Sequence, residues 1–356
     1  MVFVAAWGNW RIVIWRGNNM QVSVAMCTYN GARFLQEQLY SINSQSRLPD
    51  ELVICDDGST DNTLAILRNY ADAAKFPLRI YNNKMKLGAA KNFELAISIS
   101  QGNIVILSDQ DDIWQPNKIQ VLVQVLSENL DAGYVFSDAI IIEEGGRPIH
   151  QSLWKQLSIN RKQLSMFSHG VEGQLRVLLM RTVVTGATMA FRASLKNTIL
   201  PIPDLWVHDE WISFASSMNG ARGIPIQEPL IYYRRHPAQA IGVPQQGFFG
   251  LLKRGWKYFL GDAEAYDYYQ RELRKWDTLY VLLKGSASPA FAVFPLLEAK
   301  VAHVALRAKL YRRPRTIRLA AIIAELISRR YHLYSSGWKS AIKDFLVPTL
   351  SDSHAA

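Results

Sequence analysis

Cysteine is nearly absent from this chain: there are two in 356 residues, Cys27 and Cys55. That excludes a disulfide scaffold and leaves no thiolate cluster for a structural zinc. It fits a reducing compartment. Both cysteines fall in short apolar runs and read as core positions rather than a redox pair. Long apolar runs are lacking too. No stretch reaches the roughly 18 uninterrupted apolar residues of a membrane-spanning helix, and the longest candidate, Ser286 to Leu297, stops at Glu298 and Lys300. The start, Met1–Arg16, is apolar and rich in tryptophan (Trp7, Trp10, Trp15), but Asn9 and Arg11 interrupt it and no basic segment precedes it. It is a poor secretory signal. No Gly-x-Gly-x-x-Gly follows the first expected strand and no Gly-Lys-Ser/Thr occurs, so a dinucleotide or P-loop phosphate cradle is not supported. His150, His169, His303 and His332 lie outside any ligand spacing and read as surface or cap residues. No local motif suggests a Ser-His-Asp or Cys-His arrangement.

What is present is enough apolar matter for a sizeable core: 49% hydrophobic and 20% charged residues. This excludes a disordered or low-complexity chain. The net charge of +10 is uneven. Residues 245–356 hold 18 Lys+Arg against 9 Asp+Glu, while the first two-thirds are close to neutral. Basicity confined to one end points to an anionic partner for that end, membrane or nucleic acid. The expected division is an N-terminal extension over 1–19, possibly outside the fold, an α/β domain over 20–244, and a basic helical region over 245–356.

The first 140 residues alternate strand and helix signals. Val22-Ser23-Val24-Ala25-Met26 reads as a strand, and Phe34, Leu35, Leu39 and Ile42 then recur at helical spacing. Leu52-Val53-Ile54-Cys55 is a fully apolar strand, followed by caps at Ser59, Thr60 and Asp61 and a helical face of Leu64, Leu67, Tyr70 and Ala74. A strand near Arg79–Tyr81, a helix from Ala89 to Ser100 and the strand Ile104-Val105-Ile106-Leu107 come next. Pro116 is expected in the first turn of a further helix. This order implies an α/β fold with a mostly parallel sheet and helices on both faces. Ligands of such sheets bind at the carboxyl ends of the strands.

Those ends carry the unusual residues. Asp56-Asp57-Gly58-Ser59-Thr60-Asp61 follows one apolar strand and Ser108-Asp109-Gln110-Asp111-Asp112 follows another. One acidic cluster after a strand is as readily a turn and a helix cap. Two on one sheet edge crowd like charges, which is costly without a cation or donor. An Asp-x-Asp pair supplies hard oxygen ligands suited to Mg²⁺ or Mn²⁺ shared with a substrate diphosphate.

These strings, with Thr28-Tyr29-Asn30-Gly31, Lys86-Leu87-Gly88-Ala89-Ala90-Lys91-Asn92-Phe93, Ser108-Asp109-Gln110-Asp111-Asp112-Ile113-Trp114, Thr185-Gly186-Ala187-Thr188-Met189-Ala190-Phe191, Val207-His208-Asp209-Glu210-Trp211 and Tyr232-Tyr233-Arg234-Arg235-His236, resemble family 2 glycosyltransferases of the GT-A fold. The acidic string after the fourth strand is most similar to the bacterial rhamnosyltransferase-like branch. The resemblance runs in order over residues 21–243. It implies that Thr28, Tyr29 and Asn30 line the nucleotide base, that Asp57 hydrogen-bonds it, and that Asn92 approaches the ribose or phosphates. It implies that Asp109 and Asp111 form the metal and donor motif, that Gly186 lies on the loop over the donor sugar, that Asp209 is the catalytic base, and that Arg234 and His236 lie by the diphosphate, His236 with the metal. Many relatives carry Glu-Asp at the base position, whereas here the order is His208-Asp209-Glu210, so Glu210 is a rival. Pro237 follows His236 where glycine is more usual.

The implied chemistry needs these residue types. A divalent ion neutralises the charge that develops on the leaving diphosphate. A carboxylate takes the proton of the acceptor hydroxyl, typically worth about 10²–10⁴-fold. One base without a second, nucleophilic carboxylate implies a single displacement with inversion. The activity implied is an inverting, metal-dependent transfer of a sugar, rhamnose favoured, from a dTDP- or UDP-linked donor to a glycan acceptor, in cell-surface polysaccharide synthesis. Two other functions compete. A nucleotidyltransferase of sugar phosphates would want a Gly-rich basic loop after the first strand, which Thr28-Tyr29-Asn30-Gly31-Ala32-Arg33 does not supply. A non-catalytic binder of anionic polymer would rest on the basic end, where aromatics (Trp256, Tyr258, Phe259, Tyr311) interleave without any nucleic-acid motif; no nucleic-acid partner is expected.

Trp114 and Trp211 follow acidic motifs and read either as sugar-stacking rings or as the floor of the site. Gly247–Lys257 mixes Phe248, Phe249, Leu251, Leu252 and Trp256 with Lys253, Arg254 and Lys257, as an interfacial helix would. Arg307–Arg330 sets eight basic residues among Leu306, Leu310, Ile317, Leu319, Ile322, Ile323 and Leu326. Either these are helices buttressing the catalytic domain, or they dock a cytoplasmic protein on the anionic inner face of the cell membrane, beside a lipid-linked acceptor.

Overall fold

The short apolar runs become strands buried on both faces, as an internal parallel sheet demands. In the computed structural model, which describes residues 20–237, 239, 263–284 and 294–346, β1 (Val22–Thr28), β2 (Glu51–Asp56), β3 (Leu78–Asn82) and β4 (Ile104–Ser108) pair in parallel in the order β3-β2-β1-β4. Helices α1 (Leu35–Asn43), α2 (Thr63–Ala71) and α3 (Ala89–Ile99) connect them. The expected extension over 1–19 and the stretch Gly247–Lys257 lie outside the described residues.

Beyond β4 the sheet is mixed. It continues with β5 (Ile113–Trp114), α4 (Lys118–Glu128), β6 (Ala132–Glu143) and β7 (Pro148–Ser152), then α5 (Leu153–Gln156), α6 (Arg161–Ser168) and α7 (Val171–Met180). Strand β8 (Met189–Arg192), α8 (Lys196–Ile199), α9 (His208–Met218) and β9 (Arg222–Arg235) follow. The strand order is β3-β2-β1-β4-β8-β6-β9-β5, with β7 on β6. Strand β8 runs antiparallel to both β4 and β6, β5 runs antiparallel to β9, and the long strands β6 and β9 are parallel. The direction therefore changes beside β4, next to the Asp109–Asp112 loop.

Alternate residues of the central strands feed two cores, one on each face. Val24, Met26, Leu52, Ile54 and Ile106 pack with Leu35, Leu39 and Ile119 on one side. Ala25, Cys55, Val105 and Leu107 pack with Phe93, Ile97 and Phe214 on the other. Pro116 is not in the first turn of α4. That helix begins at Lys118 with Asn117 as its N-cap, and the Pro116 carbonyl instead accepts the Ser46 N–H at 2.8 Å.

The C-terminal helices are α10 (Ala263–Lys284), α11 (Phe294–Leu310), α12 (Arg315–Ile327), α13 (Arg330–Tyr334) and α14 (Trp338–Leu346). Trp276, Leu279, Leu297, Val304 and Tyr334 belong to the same core as Phe93 and Phe214. Trp276 meets the Trp206 ring at 5.1 Å and Phe214 at 5.5 Å. His303 is not a surface or cap residue: it is fully buried, with Nδ1 2.6 Å from Glu325 Oε2. A basic helix that packs its polar groups inward created that position, which spacing alone could not reveal. Among the described residues no helix is long and apolar enough to cross a membrane.

Candidate active site

At the carboxyl end of β1, the Thr28 hydroxyl donates to Asp56 Oδ2 at 2.7 Å, and both side chains are buried. Asp56 also accepts the Ser59 N–H and hydroxyl, at 2.8 and 2.6 Å. These bonds fix the strand ends. Tyr29 is exposed, with the Lys86 ammonium 3.6 Å above its ring, and its backbone is clamped at both N–H and C=O by the Gln110 side chain. Asn30 adopts φ 48°, a left-handed conformation that asparagine tolerates. Its Oδ1 accepts the Thr60 N–H at 2.8 Å.

Asp57 and Asn92 are buried and committed to protein partners. The Asp57 carboxylate accepts the Leu87 and Gly88 N–H groups at 2.7 and 2.9 Å and the Asn83 amide at 3.1 Å. Asn92 donates to the Cys55 carbonyl at 2.7 Å and accepts from Asn83 at 2.8 Å. Together they hold the 83–88 loop against β2, so the face left open there is the Tyr29–Lys86 pair.

The loop after β4 is a dense acidic cluster. Burial first, then the like charges of Asp111 and Asp209, push the Asp109 carboxyl up to about 7, against the pull of Lys118. Asp112 is buried and raised well above the ordinary carboxyl range by desolvation, Asp111 and Asp109. Its Oδ1 accepts the Arg234 N–H at 3.0 Å. Lys118, fully buried, donates to the Ala187 carbonyl at 2.7 Å. Burial brings its ammonium down to about 7 in spite of Asp112 and Asp109. Asp111 Oδ2 lies 2.7 Å from His236 Nε2. Arg234 does not present a free guanidinium. It is buried and donates to the carbonyls of Asp111 and Glu144 at 2.8 and 2.7 Å and to Glu37 Oε2 at 2.6 Å. Its work in this structure is to hold the acidic loop in place.

The third component is the start of α9. Asp209 lies in its first turn, where the helix dipole favours a negative charge. Its Oδ2 accepts the Gly186 N–H at 2.8 Å. A Cβ on Gly186 would lie 2.6 Å from His208 Nε2, so the crowding that excludes other residues is against the protein's own imidazole. His208 is buried against Phe93 at 4.0 Å between ring centroids, and neither ring nitrogen has a hydrogen-bond partner. Burial lowers its pKa, opposed by Asp209. Glu210 turns the other way, to Lys275 Nζ on α10 at 2.5 Å. Beside this turn opens a cleft of about 430 Å³ whose walls include Pro201, Pro203, Leu205, Trp206, Lys275 and Leu279.

The structure thus brings Asp109, Asp111, His236, Gly186 and Asp209 to one edge of the sheet, with Tyr29 beside Gln110 of the same acidic loop. Trp114 is buried, and Trp211 donates its indole N–H to the Ile199 carbonyl at 2.8 Å and packs edge-on against Trp206 at 5.2 Å, so both rings are engaged with the protein. Lys118, Asp112, Glu37 and Gln110 were missed by sequence reasoning. Asp112 sits in the acidic string itself, whereas Lys118 is an ordinary lysine of a helical stretch and carries no local signal.

The profile of the family described as "Glycosyl transferase family 2" matches residues 23–197. The chain is 30% identical over 245 residues to the dTDP-rhamnosyl transferase RfbG of Shigella flexneri, covering 65% of this chain and 80% of that one. It is 29% identical over 224 residues to an uncharacterized glycosyltransferase of Nostoc sp., covering 62% of this chain and 66% of the relative. Among solved structures, Staphylococcus aureus TarS 1-349 superposes with a TM-score of 0.54 over 92% of this chain and 89% of that one, at 17% identity. The mannosyltransferase PcManGT of Pyrobaculum calidifontis, solved with GDP-Man and Mn²⁺, has a TM-score of 0.50 over 91% and 86%, at 18% identity. At these identities the structural likeness speaks for the fold.

Proposed function

The chain belongs to glycosyltransferase family 2 and has the GT-A fold, and from that premise we propose that it transfers a sugar, with inversion, from a nucleoside-diphosphate sugar to a hydroxyl of a glycan acceptor, with Asp209 as the base. The observation that carries this reading is the placement of Asp209: its carboxylate is anchored by the Gly186 N–H and close enough to Asp109 to raise that group's pKa. As the acceptor oxygen attacks the anomeric carbon, its proton passes to an Asp209 oxygen, the bond from that carbon to the diphosphate breaks, and the nucleoside diphosphate leaves. Anchoring by a backbone N–H fixes the carboxylate's direction before substrate arrives. Glu210, held by Lys275, is not free for that role. The cleft between the Pro201–Trp206 loop and α10, on the Glu210–Lys275 side of the same turn, would receive the acceptor beyond its reacting hydroxyl.

Mg²⁺ or Mn²⁺ fits the residues present. Among the described residues no three His, Cys, Asp or Glu side chains converge as a ready cage, but crowded carboxylates with one imidazole on Asp111 are the donor set for a hard cation that the substrate's own oxygens complete. Asp109, Asp111 and His236 would hold it, and it would supply charge neutralisation at the leaving diphosphate. Tyr29, with Thr28 and Asn30 behind it, lies where the base would stack. Asp57 and Asn92 would meet the nucleoside once the 83–88 loop yields its bonds to them. Rhamnose from a dTDP donor is favoured by the RfbG relative, with UDP-hexose or UDP-N-acetylhexosamine as runner-up. The product would serve polysaccharide synthesis at the cytoplasmic face of the membrane. Incubation with Mg²⁺ or Mn²⁺ and a panel of nucleotide sugars, reading nucleoside diphosphate release and the anomeric configuration of the product, tests the proposal. Retention of configuration, or no turnover of any donor, overturns it.

A further inference from the structure

Surface helices ordinarily turn charge to water and apolar side chains to the core. Helix α12 does the reverse. At about 100° per residue, its outward arc comprises Ile317, Leu319, Ile323 and Ile327 with Thr316, Ala320 and Ala324 between them, and carries no charge. Ile327 is 78% exposed and the other three are roughly half exposed. Two of its three charged residues are turned inward: Arg318 donates to the Arg313 carbonyl at 2.8 Å, and Glu325 meets His303 and Arg330, while Arg315 at the first position borders the arc. Helix α14 packs beside α12 and adds Trp338, 61% exposed, and Ile342 one turn on. The result is an apolar face with charge only at its borders, of one sign. Between residues 311 and 346 the acids are Glu325 and Asp344, both buried, while Arg312, Arg313, Arg315, Arg329 and Lys339 are exposed.

We propose that the outer face of α12 and α14 docks on an anionic lipid bilayer. The isoleucines and leucine enter the acyl boundary, Trp338 sits at the headgroup level its amphipathic ring prefers, and the arginines meet lipid phosphates. Charge complementarity selects this occupant over a second copy of the chain, because two such faces would oppose arginine to arginine. The face is remote in sequence from the catalytic motifs, and docking does not depend on the glycosyl-transfer reading.

The test is cosedimentation of the full chain with vesicles of phosphatidylcholine, alone or mixed with phosphatidylglycerol, without donor or acceptor. Binding to the mixed vesicles is expected at low salt. It should weaken by about tenfold or more when phosphatidylglycerol is omitted or the salt is raised to molar strength. The double variant Ile323→Asp/Ile327→Asp should lose binding by about tenfold or more with an unchanged thermal midpoint, since both side chains are exposed. Arg312→Glu/Arg313→Glu should lose the preference for phosphatidylglycerol. Unchanged binding by the isoleucine variant, or no sedimentation of the wild type at low salt, overturns the proposal. So does a dimer in solution that Ile323→Asp/Ile327→Asp dissolves, which would give the face to a second copy. Nucleoside diphosphate release from a soluble assay is independent of each of these outcomes.

Discussion

The Glu210 carboxylate lies 2.5 Å from the Lys275 ammonium, and that ammonium is itself 4.1 Å above the Trp206 ring. The contact joins α9 to the C-terminal region and leaves Asp209, one residue earlier and about 100° around the helix, as the carboxylate on the Gly186 and Asp109 side. Asp209→Asn should therefore lower turnover by about 10²–10⁴-fold with donor affinity nearly intact, because the base acts on the acceptor. Glu210→Gln should retain most of the turnover. Lys275→Met should lose about 3 kcal/mol of stability by leaving a buried carboxylate unpaired. Steady-state kinetics, donor titration calorimetry and thermal unfolding read the three outcomes separately. Full activity in Asp209→Asn would sink the assignment.

Asp111 and His236 share one short contact at 2.7 Å, so each orients the other. Asp111→Asn should lose metal-dependent donor binding, and His236→Ala should weaken it by about tenfold or more, since it removes both a proposed ligand and the partner that orients Asp111. Titration of Mn²⁺ into protein and nucleoside diphosphate, followed by electron paramagnetic resonance, measures both. If both variants bind Mn²⁺ as the wild type does, the metal lies elsewhere.

The close approach of Gly186 to His208 makes a third case. An added methyl 2.6 Å from Nε2 cannot be relieved by swinging a ring that is stacked on Phe93. Gly186→Ala should cost about 1–3 kcal/mol of stability and impair transfer by displacing the N–H that anchors Asp209. Adding His208→Ala should restore part of that stability, a non-additivity of about 1 kcal/mol or more. Additive losses in the unfolding free energies would show that the ring is not the obstacle.

The parallel half of the sheet was legible in the sequence because apolar strands followed by acidic turns have few other readings. The acidic strings marked the candidate site for the same reason. Roles were less legible than places. Arg234 is conspicuous beside His236, but its three acceptors come from Glu37, Asp111 and Glu144, far apart in the chain. The choice between Asp209 and Glu210 turns on a lysine 65 residues downstream, which no local pattern reveals. The long strands β6 and β9 pair across some 90 residues with shifts of register, and only tertiary contact decides such pairing. On α12 the mixture of apolar and basic residues was visible in the sequence. That the apolar side faces outward follows from Arg318 and Glu325 finding partners within the C-terminal helices.

Lys300 gives a dependence on pH. Its ammonium is buried, donates to the Tyr334 carbonyl at 3.0 Å and lies 5.0 Å from the Trp276 ring. Burial brings its pKa down from 10.5 to about 8, despite the opposing pull of Glu272. Below about 8 the folded and unfolded chains both carry the proton, and the full cost of burying the charge is felt. Between about 8 and 10.5 the folded chain releases the proton while the unfolded chain keeps it, so this group makes the fold more stable as pH rises. The shift corresponds to roughly 3 kcal/mol across that window. Lys300→Met removes the titration and keeps the apolar stem. The stability of the wild type relative to Lys300→Met should therefore rise from near neutral pH toward pH 10, measured by chemical denaturation of both proteins at each pH. A difference that stays flat, or that falls with pH, would mean that Lys300 keeps an ordinary pKa in the folded chain.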